Sequence, residues 1–292
     1  MSPLIDVATA TRTLLVMVPE WTWLLKHIES NGGYVGFPKL FTQFIRNLKI
    51  GSYPKLYEDE RLIGLIALLA LYSEDEIAEL NSMLLAASPE ERGQFLEQTL
   101  LELEGLGESI HIPKTPLGIK AAEKAFKELS ESEQIAATKY WQYTTMALLA
   151  GFYQALSIMV HGEKLTSLVA RAKSGDDKSF AKAIQIDKQI LFAIPYFSER
   201  YSRGQLEGDR IFTEMIGAHL HRAPYRGKIR HKSLYLCFAF LEQANLLNEL
   251  RHREILDICD QIGINMHANR IDDVKNLTKR LAEYRSFQQR QI

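Results

Sequence analysis

The chain has 292 residues, of which 46% are hydrophobic and 24% are charged, and its formal net charge is −1. This composition excludes intrinsically disordered and low-complexity proteins, whose apolar content is too low to build a core. A chain of this length buries most of its apolar surface on folding, so its stability requires no disulfide or metal ion.

Helix signals dominate the sequence and alternating runs of β-branched residues are nearly absent, so we predict an all-α, multi-helical fold. Ser73, Ser88 and Ser130 each stand three residues before a glutamate, which is the spacing of a capping box at a helix start. In chain order, the predicted helices are 3–17, 19–30, 38–49, 59–72, 74–87, 89–104, 116–129, 131–161, 163–173, 177–193, 195–203, 206–221, 231–246, 249–262 and 271–287.

The predicted helix 131–161 is unusually apolar, since residues 141–160 contain no charged side chain. An apolar stretch of about 20 residues is long enough to span a membrane, but Gln142, Gln154 and Ser157 interrupt this one. We therefore predict a long central helix that is buried in the protein, with the other helices packed around it. No membrane association is expected.

Charge is divided unevenly along the chain. Residues 1–115 carry 9 basic and 16 acidic side chains, whereas residues 116–292 carry 26 basic and 20 acidic ones. Pro113 and Pro116 stop a helix close to the point where the balance changes sign. We predict two packed lobes, an acidic N-terminal helical lobe (1–112) and a basic C-terminal helical lobe (116–292).

The cysteines indicate a reducing environment. Cys237 and Cys259 have apolar neighbours and lack the CxxC spacing of redox or metal sites. We expect two reduced core thiols, which fits a reducing compartment. The apolar stretch 14–18 is too short for a secretory signal, so a cytoplasmic location is predicted.

Acidic side chains are concentrated between residues 58 and 108, where 13 acids stand against only Arg61 and Arg92. Many of them fall in predicted first helical turns, where negative charge interacts favourably with the helix dipole. The simplest interpretation is a set of solvated helix starts. The alternative is an acidic face on the helices of 58–108 that binds a basic protein partner.

Two windows of the chain are basic. Residues 29–57 contain no acid after Glu29 and interleave four cations with six aromatic residues. Residues 219–232 lie in the acid-free stretch 215–241, and Pro224 and Gly227 predict a loop or hinge there. This second window holds five permanent cations, which are Arg222, Arg226, Lys228, Arg230 and Lys232.

Clustered cations favour phosphate ligands, because each contact releases condensed counter-ions. We therefore predict a non-enzymatic helical protein that contacts nucleic acid or another polyanion through these five residues. Two other interpretations stay open. The acidic block 58–108 of the same molecule could neutralise the window 219–232, or the acidic helices of one copy could bind the basic window of another. The second case would make the protein a self-assembling scaffold and a possible homo-oligomer.

Motifs for chemistry are scarce. The common nucleotide-binding, zinc-protease, serine-hydrolase and calcium-loop motifs are missing from the sequence, so no cofactor or metal site is predicted. Four residues separate Arg226 from His231, and this Arg-x4-His spacing is similar to that of the all-helical HEPN ribonucleases. The resemblance implies an arginine that holds a phosphate and a histidine that transfers the 2′-hydroxyl proton. A metal-independent ribonuclease, with Arg226 and His231 as candidate catalytic residues, is therefore the second alternative function.

In the C-terminal part, a turn joins the predicted helices 249–262 and 271–287. Cys259 and Gly263 have the spacing seen in helix-turn-helix DNA readers. The turn 264–269 is longer than such motifs usually have, so a plain helical hairpin is predicted.

Overall fold

The computed structural model describes residues 5–30, 53–58, 88, 121, 124–264 and 270–291. These residues form helices joined by turns and contain no strand, which confirms the all-α class. The predicted helices between 59 and 104, the predicted boundary at Pro113 and Pro116, and most of the acidic block lie outside the described residues. The division into two lobes therefore stays a prediction.

The described helices are numbered here in chain order. They are α1 (Val7–Ser30), α2 (Glu131–His161), α3 (Leu165–Lys173), α4 (Asp177–Ile186), α5 (Ile190–Ala193), α6 (Pro195–Leu206), α7 (Arg210–Leu220), α8 (Lys232–Gln243), α9 (His252–Gln261) and α10 (Arg270–Gln291). A short 3₁₀ helix, Tyr53–Glu58, stands between α1 and α2 in the chain.

Helix α2 has the predicted bounds and lies at the centre of the fold. It contacts α1, α3, α4, α8, α10 and the 3₁₀ helix, and its residues 148–161 are all buried. Two of its buried polar side chains fix the turn into α3. Gln154 accepts the N–H of Leu165 at 3.0 Å, and the Ser157 hydroxyl donates to the carbonyl of Glu163 at 2.8 Å.

None of the described helices combines the length and the apolar character needed to cross a bilayer.

Two helix predictions were wrong. The predicted helices 3–17 and 19–30 form one helix, α1, with Pro19 inside it. Pro19 and Leu15 are both exposed, so the backbone carbonyl that loses its partner lies on the solvent side of the helix. Conversely, the predicted helix 177–193 is divided into α4 and α5, because Asp187 between them has extended backbone angles (φ −135°, ψ 106°).

The first helix shares a core with the C-terminal helices. The indole N–H of Trp21 donates to the Leu148 carbonyl at 3.1 Å, and its ring packs on Phe240 with centroids 6.1 Å apart. The hydroxyls of Thr22 in α1 and Ser233 in α8 are hydrogen-bonded at 3.0 Å. Helix α1 therefore lies directly beside α8, which begins where the basic window ends.

Helices α9 and α10 pack against each other as a hairpin. Helix α9 is followed by Gly263, whose positive φ of 75° allows the N–H of Ile264 to reach the Cys259 carbonyl at 2.8 Å. Leu277 and Tyr284 of α10 are fully buried. Residues 265–269 of the turn lie outside the described part of the chain.

Candidate polyanion interface

The basic window folds into a loop of residues 221–231, called the basic loop below, between α7 and α8. Its apolar side chains point inward, since Tyr225 is 6% and Ile229 only 1% exposed. Gly227 adopts a positive φ of 84°, a conformation that turns the chain without steric cost only at glycine. The exposed charged side chains of the loop are Arg222, Arg226, Lys228 and Arg230.

Side chains from three different helices hold the backbone of the basic loop. The amide of Gln185 in α4 donates to the carbonyls of Ala223 and Pro224 at 3.1 and 3.2 Å. A carboxylate oxygen of Glu29 in α1 accepts the N–H of Ile229 at 3.1 Å. These bonds fix the loop on both sides of its central turn.

The third anchor is Gln291, the last residue of α10. Its Oε1 accepts the N–H of Arg226 at 2.8 Å, and its Nε2 donates to the carbonyl of the same residue at 3.1 Å. Nearby, the ring of Tyr225 packs on Phe287 with centroids 6.1 Å apart. The sequence predicts a loop or hinge, and the structure shows a loop whose backbone is anchored while its cationic side chains extend into solvent.

Lys232 differs from the other four cations. Its ammonium group lies 2.7 Å from the carboxylate of Glu29 and also donates to the Ile229 carbonyl at 2.9 Å. The two charged side chains are only 18% and 19% exposed. The charge of Lys232 is therefore compensated within the molecule, and its main contribution here is to the shape of the loop.

Among the described residues, nothing compensates the other four cations, Arg222, Arg226, Lys228 and Arg230, in this way. No carboxylate of the described residues lies within ion-pair distance of any of them. Like charges on a short anchored loop repel one another, and a bound anion removes that repulsion. The local charge density and the fixed backbone together make this loop the strongest candidate interface in the described part of the chain.

The candidate catalytic pair is on the same loop. Arg226 is exposed, whereas His231 is half-buried and forms the N-cap of α8. Burial lowers the pKa of His231, and the positive charges of Arg280 and Arg230 lower it further. No hydrogen bond joins these two described residues, and the ribonuclease interpretation stays a prediction.

Sequence reasoning missed the residues that complete this surface. Glu29 and Gln291 are 200 and 65 residues away from the loop positions they bind, so no local pattern indicates them. The basic side chains of α10 lie close to the loop only because α10 packs against α2 and α8. In that packing the Tyr284 hydroxyl donates to Glu242 at 3.0 Å and Gln288 donates to the Ile158 carbonyl at 2.9 Å.

The window 29–57 is described only at its ends. Tyr53 and Tyr57 of the 3₁₀ helix are buried in the core, where the Tyr57 hydroxyl donates to the carboxylate of Asp187 at 3.1 Å. Residues 31–52 lie outside the described part of the chain, so whether this window and the window 219–232 form one surface is untested. Burial raises the pKa of Asp187 to about 6, although hydrogen bonds from the Gln189 N–H and the Tyr57 hydroxyl oppose that shift.

Metal-ligating side chains do not gather in the described residues, where no three histidine, cysteine or carboxylate groups are placed to hold an ion. Comparison with known proteins adds no family: no family description, curated protein or solved structure is significantly similar to the chain. The functional interpretation therefore depends on the chemistry of the basic loop.

Proposed function

We propose that the protein is a non-enzymatic helical binding protein that contacts nucleic acid or another polyanion through its basic loop. The observation that supports this most directly is a set of four exposed cations on an anchored backbone, Arg222, Arg226, Lys228 and Arg230, which form no ion pair with a described carboxylate. Arginine and lysine bind phosphate through charge and hydrogen bonds, and arginine can do so with two parallel bonds.

The anchored backbone supports a binding role for these exposed charges, because it lowers the entropic cost of binding. A flexible loop loses conformational entropy when a ligand orders it, whereas a loop held by Gln185, Glu29 and Gln291 has already lost most of that entropy on folding. The cations are thus placed before the ligand arrives, and the binding energy is not spent on ordering the backbone.

The test uses fluorescence anisotropy of a labelled 20-base-pair duplex and of long-chain inorganic polyphosphate over a salt series. Each phosphate that the protein neutralises contributes about −0.9 to the slope of log K against log salt for a duplex. Replacing the four cations by glutamine should therefore reduce the slope by about 3 to 4.

A matched control removes four exposed cations outside the loop, which are Lys127, Lys178, Arg203 and Arg253. This control variant has the same net charge as the loop variant, so an effect of net charge alone would appear in both. If the two variants lose the same affinity, or if wild type binds neither probe with a measurable salt slope, the proposal is wrong. Sedimentation in the same buffers, without a probe, tests the alternative in which copies of the chain bind one another.

A further inference from the structure

The basic loop continues into a second row of cations on α10. Lys279 and Arg290 are eleven residues apart, which places them within about 20° of each other around the helix and about 16 Å apart along it. Both are exposed. Glu283 lies on the same side between them, and its carboxylate is bonded to Arg280 at 2.7 Å. Because Arg280 neutralises Glu283, the net charge of this row stays positive.

Electrostatic interactions connect this row to the loop. The hydrogen bond from Arg280 lowers the pKa of Glu283, and the charges of Lys279 and His231 lower it further. The charges of Arg280 in α10 and of Arg230 in the loop both lower the pKa of His231, the last residue of the basic loop. Together with the two hydrogen bonds between Gln291 and Arg226, these interactions place the row of α10 beside the loop along its length.

The aromatic side chains of this region face the core. Tyr225 and Tyr235 are each 6% exposed, Phe287 is 5% exposed and Tyr284 is fully buried. Proteins that hold single-stranded nucleic acid combine a basic groove with exposed aromatic rings on which bases stack. Among the described residues of the loop and of α10, no phenylalanine, tyrosine or tryptophan ring is exposed for that purpose.

We infer that the basic loop and α10 form one surface that binds the phosphate backbone of double-stranded nucleic acid without reading its bases. This inference rests on the proposed function and specifies its ligand. A duplex carries one negative charge per about 1.7 Å of its axis, so a stretch of α10 about 16 Å long, with a cation at each end, extends past several phosphates. Contacts to phosphate fix position but carry no sequence information directly.

The experiment compares a 20-base-pair DNA duplex with a 20-nucleotide oligo-dT strand, and adds a second duplex of unrelated sequence. For wild type at 0.1 M salt, we expect the duplex to bind about tenfold more tightly than the single strand. The two duplexes should differ less than threefold in affinity. The double variant Lys279→Gln/Arg290→Gln should reduce the duplex salt slope by about 2 and the affinity at 0.1 M salt by about 50-fold.

The matched control is Arg253→Gln/Arg285→Gln. Arg285 is on α10 but lies about 120° around the helix from Lys279, and it is bonded to Asn248. This control should leave the slope unchanged. All four positions are exposed, and thermal unfolding monitored by circular dichroism confirms that each variant is folded.

Each contrary outcome separates this inference from the proposed function. Loss of binding in the loop variant with an unchanged slope in Lys279→Gln/Arg290→Gln would leave the proposed function standing and overturn the inference. Equal or tighter binding of oligo-dT, or strong discrimination between the duplexes, would also overturn it. Binding of polyphosphate but of neither duplex would do the same, whereas binding of no probe at all would overturn both.

Discussion

The contact between Glu29 and Lys232 gives a quantitative test of how the basic loop is built. Glu29 accepts both the Lys232 ammonium at 2.7 Å and the Ile229 N–H at 3.1 Å, and it is 19% exposed. Breaking a fully buried ion pair by removing one partner costs about 3 to 5 kcal/mol. Because about a fifth of each side chain here is exposed, we expect Glu29→Gln to lower the free energy of unfolding by about 2 kcal/mol. For a chain of this size that corresponds to a fall in Tm of about 4 °C.

A double-mutant cycle isolates the ion pair from other effects of the substitution. Its variants are Glu29→Gln, Lys232→Met and the two combined, each measured by chemical denaturation. We expect a coupling energy of about 1 to 2 kcal/mol. The exposed pair Lys124–Glu128 is the control, because its atoms are 3.8 Å apart and its side chains are 81% and 68% exposed. Its coupling should stay below about 0.5 kcal/mol, and an equally small coupling for Glu29 and Lys232 would refute the reasoning.

Three further outcomes are expected. Gly151→Ala should lower the free energy of unfolding by about 1 to 3 kcal/mol, because the new Cβ would lie 2.8 Å from the Trp21 ring. Gly217→Ala should not lower it, because a Cβ there would have no neighbouring atom within 4 Å. Burial raises the folded-state pKa of Asp187 to about 6. The folded state therefore holds this proton more tightly than the unfolded chain does, and the protein loses stability as rising pH ionises the carboxylate. In chemical denaturation, the free energy of unfolding of Asp187→Asn should rise by about 1 to 2 kcal/mol relative to that of wild type between pH 5 and pH 8. Lys232→Gln should leave the slope of duplex binding against salt unchanged, unlike Arg230→Gln, which should reduce it by about 1.

Local signals predicted the elements whose ends are set by nearby residues. Helix α2 begins directly after Ser130 and is followed by Gly162 at a positive φ of 65°, so both of its ends carry a signal in the sequence. The loop at Pro224 and Gly227 was predicted for the same reason. In both places the backbone conformation follows from two or three neighbouring residues.

Tertiary contacts decided the elements that the sequence predicted incorrectly. Pro19 is a helix breaker by local rules, yet α1 continues through it because the helix is held on its other side by Trp21, which is buried against Leu148 and Phe240. Asp187 looks like one more polar residue inside a helix. Its carboxylate instead caps the N–H of Gln189 at 2.9 Å and accepts the hydroxyl of Tyr57, which comes from a distant part of the chain.

The composition of the candidate interface was predictable, but its charge balance was not. A stretch without acids indicates where cations are concentrated, yet it does not show which of them meets a carboxylate from elsewhere in the chain. Glu29 reaches Lys232 because α1 lies beside the start of α8, whereas Arg230, two residues earlier, is exposed.

Three of the exposed cations lie next to the inward-facing residues Tyr225 and Ile229. Burial of these two side chains holds the backbone of the loop, while Arg226, Lys228 and Arg230 beside them stay exposed. The packing that stabilises the loop and the exposure that makes it a candidate interface thus have one cause. A substitution that removes Tyr225 or Ile229 would alter the positions of all three cations without changing any charge.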